Sequence, residues 1–407
     1  MSSKIEMKKL SGKNIVSPKG FSAAGVHVGI KHKKKDLALL FSEVPASVAG
    51  VFTTNSVQAA PLKVTKEVVY SKKKMQAMIV NSGNANACTG KQGIADAYEM
   101  QSLAANKLGI DATLVGVCST GVIGVQMDLA PVRKGISALQ LTNTLESSID
   151  FSQAILTTDT VMKNTVYSTI VDGKEVVVSG TAKGSGMIAP NMATMLGFIT
   201  TDANIESDIL QQALSTITND TFNAITVDGD TSTNDTVVVL ANGLAENHTL
   251  TPEHADWENF YGALKAVAED LAKSIARDGE GATKLIEVEV NGAVNDEEAR
   301  KIAKTVVGSP LVKTAVFGCD ANWGRIICAV GYSGATVDPN EITIQIGGVT
   351  MVEQGEPIPF SEEQLIEILK QNEVKIDVSL GQGEGSGFAW GCDLTYDYVQ
   401  INASYRS

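Results

Sequence analysis

Residues 183–197 read KGSGMIAPNMATMLG. The stretch is too rich in Gly and Pro for a helix and too apolar for a solvated loop. The residue in it that could do chemistry is Thr194. A threonine hydroxyl is a weak nucleophile and needs a base. The α-amine of a chain has a reference pKa of about 7.7–8.0, so a threonine at a chain start carries its own base. An internal threonine gets there by attacking the carbonyl before it. Hydrolysis of the ester left by that N-to-O acyl shift cuts the chain between Ala193 and Thr194. The shift needs a small preceding residue, which Ala193 is. It needs a tense turn, and Gly184, Gly186 and Pro190 offer unusual dihedrals. It also needs donors for the oxyanion. Ser119, Thr120 and Gly121 follow an apolar run at residues 113–118, and their hydroxyl and N–H groups at a strand end suit that task. Taken alone, CSTGVIG at 118–124 also reads as a Gly-rich turn, and Ala-Thr in a Gly/Pro-rich loop does not establish cleavage.

Other constellations carry less. His27, His32, His248 and His254 all lie outside Gly-rich or catalytic-looking contexts and read as structural or surface groups. A Ser-His-Asp or Cys-His engine therefore lacks support, and metal-ligand spacing is absent. VDGDTSTND at 227–235 fails as a calcium loop, because its sixth position from Asp228 is Thr233 and its twelfth is Val239. It reads equally as a polar active-site wall or a structural turn. GQGEGSG at 381–387 lacks the third glycine of a dinucleotide loop and reads as a strand connection. TAKGSG lacks the ending of a phosphate loop, so Lys183 is not a phosphate-loop lysine.

The 407 residues carry 46 acidic and 33 basic side chains, a net charge of −13, which argues against a nucleic-acid binder. The basic run Lys31-His32-Lys33-Lys34-Lys35 reads as a solvated turn, with a phosphate-bearing ligand as the other reading. The N-terminus lacks the apolar region of a secretory signal, and no run of about 18 apolar residues offers a membrane span. Cys88, Cys118, Cys319, Cys328 and Cys392 form no C-x-x-C pair and read as buried, reduced thiols in the cytoplasm.

Strand-like and helix-like segments alternate, which gives an α/β or α+β class. Residues 164–171 and 174–180 read as strands joined by an Asp172-Gly173 hairpin turn, leading straight into the Thr194 stretch. Apolar runs at 76–81, 113–118 and 236–241 read as buried strands. Helices are expected at 95–108, closed by Gly109; at 205–217, capped by Asn204; and from Trp257 to about Asp278, with one apolar stripe. Beyond residue 285 strands are expected at 285–290, 343–346, 374–380 and 392–401. Helices are expected at 297–306 and 362–371, the latter with a Ser361–Gln364 capping box. The texture change sets a boundary between residues 1–285 and 286–407.

KGSGMIAPNMATML resembles the processing signature of the ornithine acetyltransferase (glutamate N-acetyltransferase) family of arginine biosynthesis. VNSGNANACTG, CSTGVIG, TTDT, VDGDTSTND, ARDGEGATK, FGCDANWGRI and NASYRS agree with it, in one order from about Gly20 to the end. The resemblance implies a layered α/β sandwich shared with self-processing aminopeptidases, followed by a C-terminal α+β domain whose tail returns to the active site. It implies cleavage into chains 1–193 and 194–407, assembled as α2β2. Thr194 would take acetyl from N-acetylornithine, release ornithine and pass acetyl to glutamate, without a bound cofactor; acetyl-CoA is a further co-substrate in part of the family. Thr120 and Gly121 match the oxyanion donors. Thr157, Lys183, Thr194, Glu280, Asn402 and Ser407 match the substrate site, with Lys183 meeting a carboxylate and Glu280 an ammonium. This chain ends in Ser407 where family members often end in Thr. The alternatives are a self-processing amidase or aminopeptidase on the same scaffold, and a non-catalytic small-molecule binder.

Overall fold

The computed structural model describes residues 5–189 and 195–404. Among these, β1 (Met7–Lys9), β2 (Phe21–Val26), β3 (Leu37–Phe52), β4 (Lys74–Asn84), β5 (Val115–Val122), β6 (Lys163–Val171), β7 (Lys174–Lys183), β8 (Leu196–Thr201) and β9 (Thr236–Ala241) form one sheet. Its order is β1-β6-β7-β8-β9-β3-β4-β5, with β2 beside β3. The hinge is β3. Its pairing with β4 shifts between Phe41 and Ala46: its first half joins β2 and β4, Ala46 and Ser47 still meet β4, and Ser47–Phe52 join β9.

Side-chain alternation then builds the layers. Leu37 and Leu39 on β3, and Ala77 and Ile79 on β4, face α2 (Gly90–Leu108) and α3 (Leu129–Ala138). Ala38, Leu40, Met78 and Val80 point the other way. They share an inner core with Phe198 of β8, Val238 and Leu240 of β9, and Phe151 of α4 (Leu145–Ile155). Val237 and Val239 face outward again, onto α5 (Ser207–Asp220) and α6 (Trp257–Arg277). Both faces of these strands are buried, which is why the sequence shows unbroken apolar runs where a half-exposed sheet would alternate. Replacing Phe198, fully buried and edge-on to Phe151 at 5.6 Å, with alanine is expected to cost about 3–5 kcal/mol, read from urea unfolding.

Local signals account for most element ends. Asp172 and Gly173 both have positive φ, 52° and 73°, as the tight β6–β7 hairpin requires. His254 packs at that hairpin: its Nε2 lies 3.2 Å from Asp172 Oδ1 and its Nδ1 accepts the Asp256 N–H. Gly109 closes α2 at φ 68°. Other expectations are corrected. The five cysteines are not all buried: Cys88 and Cys328 are exposed and Cys319 is half-buried. Residues 113–118 do not form one strand: Asp111 accepts the Thr113 N–H and holds a 3₁₀ turn over Ala112–Leu114, and β5 starts at Val115. Asn204 does not cap α5, because its amide bonds the Asn247 carbonyl, and the helix starts at Ser207 behind Glu206.

The rest of the chain forms a second sheet of β10 (Leu285–Ala293), β11 (Thr343–Ile346), β12 (Val349–Glu353), β13 (Glu356–Pro357), β14 (Glu373–Ser379) and β15 (Gly385–Cys392), in the order β13-β12-β11-β14-β10-β15. Ile286, Val288 and Val290 of β10 pack with Ile302 and Val306 of α7 (Asp296–Gly308). Leu285, Trp390 and Cys392 instead join the α5–α6 core, tying the two sheets together. Ser361 accepts the Gln364 N–H at the head of a helix over Glu362–Leu369. The expected strand at 392–401 is not one. It stops at Cys392, where the Asp393 carboxylate accepts the Thr283 and Lys284 N–H groups and turns the chain. A helix, Tyr396–Ala403, follows with none of its residues buried, so β-favouring Tyr396, Val399 and Ile401 meet no sheet face.

Candidate active site

The ends of β5 and β7, the turn after α6, the segment before β9 and the C-terminal helix surround one cavity of about 590 Å³. Thr120, Gly121, Thr157, Lys183, Glu280 and Asn402 all line it. Residues from five separate segments therefore meet at one cavity. Ala193, Thr194 and Ser407 lie outside the described residues. Met195 and Leu196, directly after Thr194, are on the cavity wall.

Thr120 and Gly121 owe their position to the parallel β4–β5 pairing, which becomes irregular where Gly83 faces Gly121. Gly121 has φ 133°, and a Cβ on it would lie 2.3 Å from the Gly83 carbonyl carbon. Asn234, buried, ties this strand end to the opposite wall by donating to the Ser119 and Ala85 carbonyls at 2.8 and 2.6 Å. Cys118, next in the strand, is no competing nucleophile: burial pushes its thiol up to about 12, against a bond to Thr236.

Of the two readings of residues 227–235, a polar wall or a structural turn, the wall fits the cavity. Ser232, Thr233, Asn234 and Asp235 line the cavity. Asp228 accepts the Met187 and Ile188 N–H groups at 2.7 and 2.8 Å, and Thr231 Oγ1 donates to the Ala189 carbonyl at 2.9 Å. These bonds hold the chain leading to residue 193 against the segment before β9. Met187 takes a left-handed φ of 55° in that hold.

Lys183 ends β7 with its side chain 10% exposed, its Nζ 4.0 Å from Asp159 Oδ2. Burial pulls its ammonium below the usual lysine value; Asp159 opposes this and Lys163 adds to it. Glu280 sits across the cavity, 7% exposed, accepting from the Asn402 amide at 2.8 Å. Gly186 makes room for it, since a Cβ there would lie 2.3 Å from the Glu280 carboxyl carbon. The cavity thus offers a buried lysine and a buried glutamate beside the end of β5.

The sequence reading missed the support beneath this pair. Lys163 and Asp159 have fully buried side chains, and Lys163 Nζ bonds Asp159 at 2.7 Å and Asp278 at 2.6 Å. Thr160 Oγ1 also donates to Asp278. Burial would raise the Asp159 carboxyl, but the Lys183 and Lys163 charges, with bonds from Lys163 and the Gly184 N–H, hold it well below the usual carboxylate range. Asp159 and Asp278 both stand inside quoted motifs, TTDT and ARDGEGATK, so the signal was present without its geometry. The basic run is split. His32, Lys33 and Lys34 are exposed, while Lys31 Nζ donates to the Leu156 carbonyl beside the cavity. Burial, opposed by Asp36, brings the Lys31 ammonium down to about 8.

A layered α/β sandwich whose cavity is lined by a buried lysine, a buried glutamate and the end of a strand has the build of an enzyme for small charged molecules. The chain belongs to the ArgJ family, which it matches over residues 22–407. It is 61% identical over 400 residues to the arginine biosynthesis bifunctional protein ArgJ of Halalkalibacterium halodurans, covering 98% of this chain and 97% of that one. It is 60% identical over 393 residues to the protein of the same name from Geobacillus kaustophilus, covering 97% and 96%. A crystal structure of the arginine biosynthesis bifunctional protein from Bacillus halodurans aligns at a TM-score of 0.52 and 67% identity, over 52% of this chain and 100% of the solved chain. It is an acetyltransferase of arginine biosynthesis.

Proposed function

We propose that the chain cuts itself before Thr194 and then moves acetyl from N-acetylornithine to glutamate through an acetyl-Thr194 ester. The observation that carries this is Lys183 and Glu280 facing one cavity that also holds Thr120 and Gly121. N-acetylornithine has a carboxylate and a distant ammonium, and those two charges match the two buried side chains. Thr194 Oγ attacks the acetyl carbon while the α-amine takes the hydroxyl proton. Thr120 and Gly121 donate to the oxyanion. The tetrahedral species collapses, the proton goes to the leaving amine, and ornithine departs. The neutral amine of glutamate then attacks the ester, the Thr194 Oγ–acetyl bond breaks, the amine's proton passes by way of the Thr194 α-amine to Oγ, and N-acetylglutamate leaves with the hydroxyl restored.

The solved relative supports the two-chain reading, because a complete chain matches just over half of this one, as residues 194–407 would. The name "bifunctional" on the relatives supports acetyl-CoA as a second donor. The same reading carries an α2β2 assembly in the cytoplasm, to be checked by native mass and fractionation.

The test supplies purified enzyme with each donor and measures intact mass. One acetyl group on a fragment that starts at Thr194 is the expected result; an intact acetylated chain refutes it. The amidase alternative makes a different kinetic forecast, hydrolysis of N-acetylornithine that glutamate does not accelerate. Lys183→Met is expected to raise KM for N-acetylornithine by about 10- to 100-fold, the loss of one buried charge-assisted bond. An unchanged KM would remove Lys183 from the substrate site.

A further inference from the structure

Lys183 is held without being used up. Asp159 Oδ1 is filled by Lys163 Nζ at 2.7 Å and the Gly184 N–H at 2.6 Å. Asp159 Oδ2 takes the Thr157 N–H at 3.0 Å. The Lys183 ammonium stands 4.0 Å from that same oxygen, beyond hydrogen-bond distance. It is attracted to Asp159, yet among the described residues it makes no hydrogen bond. Its donors face the cavity.

Lys163 is what keeps it so. With no exposed side-chain surface, it spans Asp159 and Asp278. Asp278 binds Thr160 through its carboxylate and Ser185 through its carbonyl, and the Glu280 N–H donates to the Ser185 carbonyl. One buried lysine therefore joins the segments that carry Thr157, Lys183 and Glu280.

We propose that Lys163 and Asp159 are positioning residues of the transfer reaction: Lys163 braces Asp159 through Oδ1 and offsets part of its charge, so that Asp159 holds the Lys183 ammonium at 4.0 Å and leaves its donors for a substrate carboxylate. This rests on reading Lys183 as the carboxylate partner. Without Lys163, Asp159 keeps only the Gly184 and Thr157 N–H bonds, its charge loses its closest counter-ion, and Lys183 is drawn onto the buried carboxylate. The cavity then loses its cation although no cavity-lining residue has changed.

The test is calorimetric binding of ornithine and of ornithinamide, which lacks the carboxylate, to wild type, Lys163→Met, Lys163→Arg and Asp159→Asn. Binding needs no turnover, so the ratio is readable even in a variant that cuts slowly. Wild type is expected to prefer ornithine, Lys163→Met to lose about tenfold of that preference, and Lys163→Arg to keep it within about threefold. If Lys163→Met fails to fold, Asp159→Asn decides: with its oxygen toward the Gly184 N–H it keeps that acceptor, removes the steering charge at the cost of the Thr157 N–H bond, and is expected to lose the preference as well. A folded Lys163→Met or Asp159→Asn protein with the wild-type ratio overturns the proposal and leaves the buried pair a structural brace. A wild type that binds both ligands equally overturns the Lys183–carboxylate reading itself.

Discussion

Thr194→Ala is expected to give one uncut chain of 42.8 kDa and acetyl transfer lowered by about 10⁴-fold or more, the scale of losing a covalent nucleophile. Two losses combine in that substitution. The hydroxyl that starts the acyl shift is gone, so no α-amine is freed at residue 194. The hydroxyl that would carry acetyl is gone as well. Thr194→Ser separates them: it keeps the oxygen and is expected to cut and to transfer, both more slowly. Gel mobility, N-terminal sequencing and the rate of ornithine release read the three proteins. A Thr194→Ala protein that still transfers acetyl at a rate near wild type would mean another residue carries the group. The buried, un-ionised Cys118 is then a poor substitute, so the search would turn to the cavity-lining Thr120 and Thr158.

Chemistry and motif were readable before geometry, and the reason is local. The β6–β7 hairpin follows from Asp172-Gly173, and Gly109 ends α2, because each is decided by the φ preferences of one or two residues. The strands of the inner core followed from apolar runs, although nothing local says that Val238 points inward and Val239 outward. The failures share a cause too. Asn204, an eligible cap by type, is spent on Asn247 from a distant segment. Tyr396, Val399 and Ile401 look like a strand until Asp393 turns the chain away from β15. The Lys163–Asp159–Asp278 support was invisible for the same reason: Lys163 and Asp278 lie 115 residues apart. A lysine beside a strand start reads as solvated until its partners are known to be buried with it.

Gly121→Ala tests the oxyanion site by shape alone. A Cβ at residue 121 would lie 2.3 Å from the Gly83 carbonyl carbon and 2.6 Å from the Asn84 nitrogen. These are backbone atoms of the paired strand and have no side-chain rotamer through which to retreat. The φ of 133° is also one that alanine avoids. Relief therefore has to come from moving the β5 end away from β4, which turns the residue 121 N–H and displaces Thr120. A donor displaced from an oxyanion costs about 10²–10³-fold in kcat, and the variant is expected to lose that much. Self-cleavage should slow with it, since both steps pass through a tetrahedral oxyanion. Gly116→Ala, in the same strand, is the control. Its Cβ would meet the Met78 and Met75 methyls at 2.6 and 2.8 Å, the free ends of flexible side chains. That variant is expected to lose stability by about 1–3 kcal/mol while keeping its kcat. Equal damage to turnover in both variants would show that β5 fails through general loosening, and that residue 121 has no special claim on the reaction.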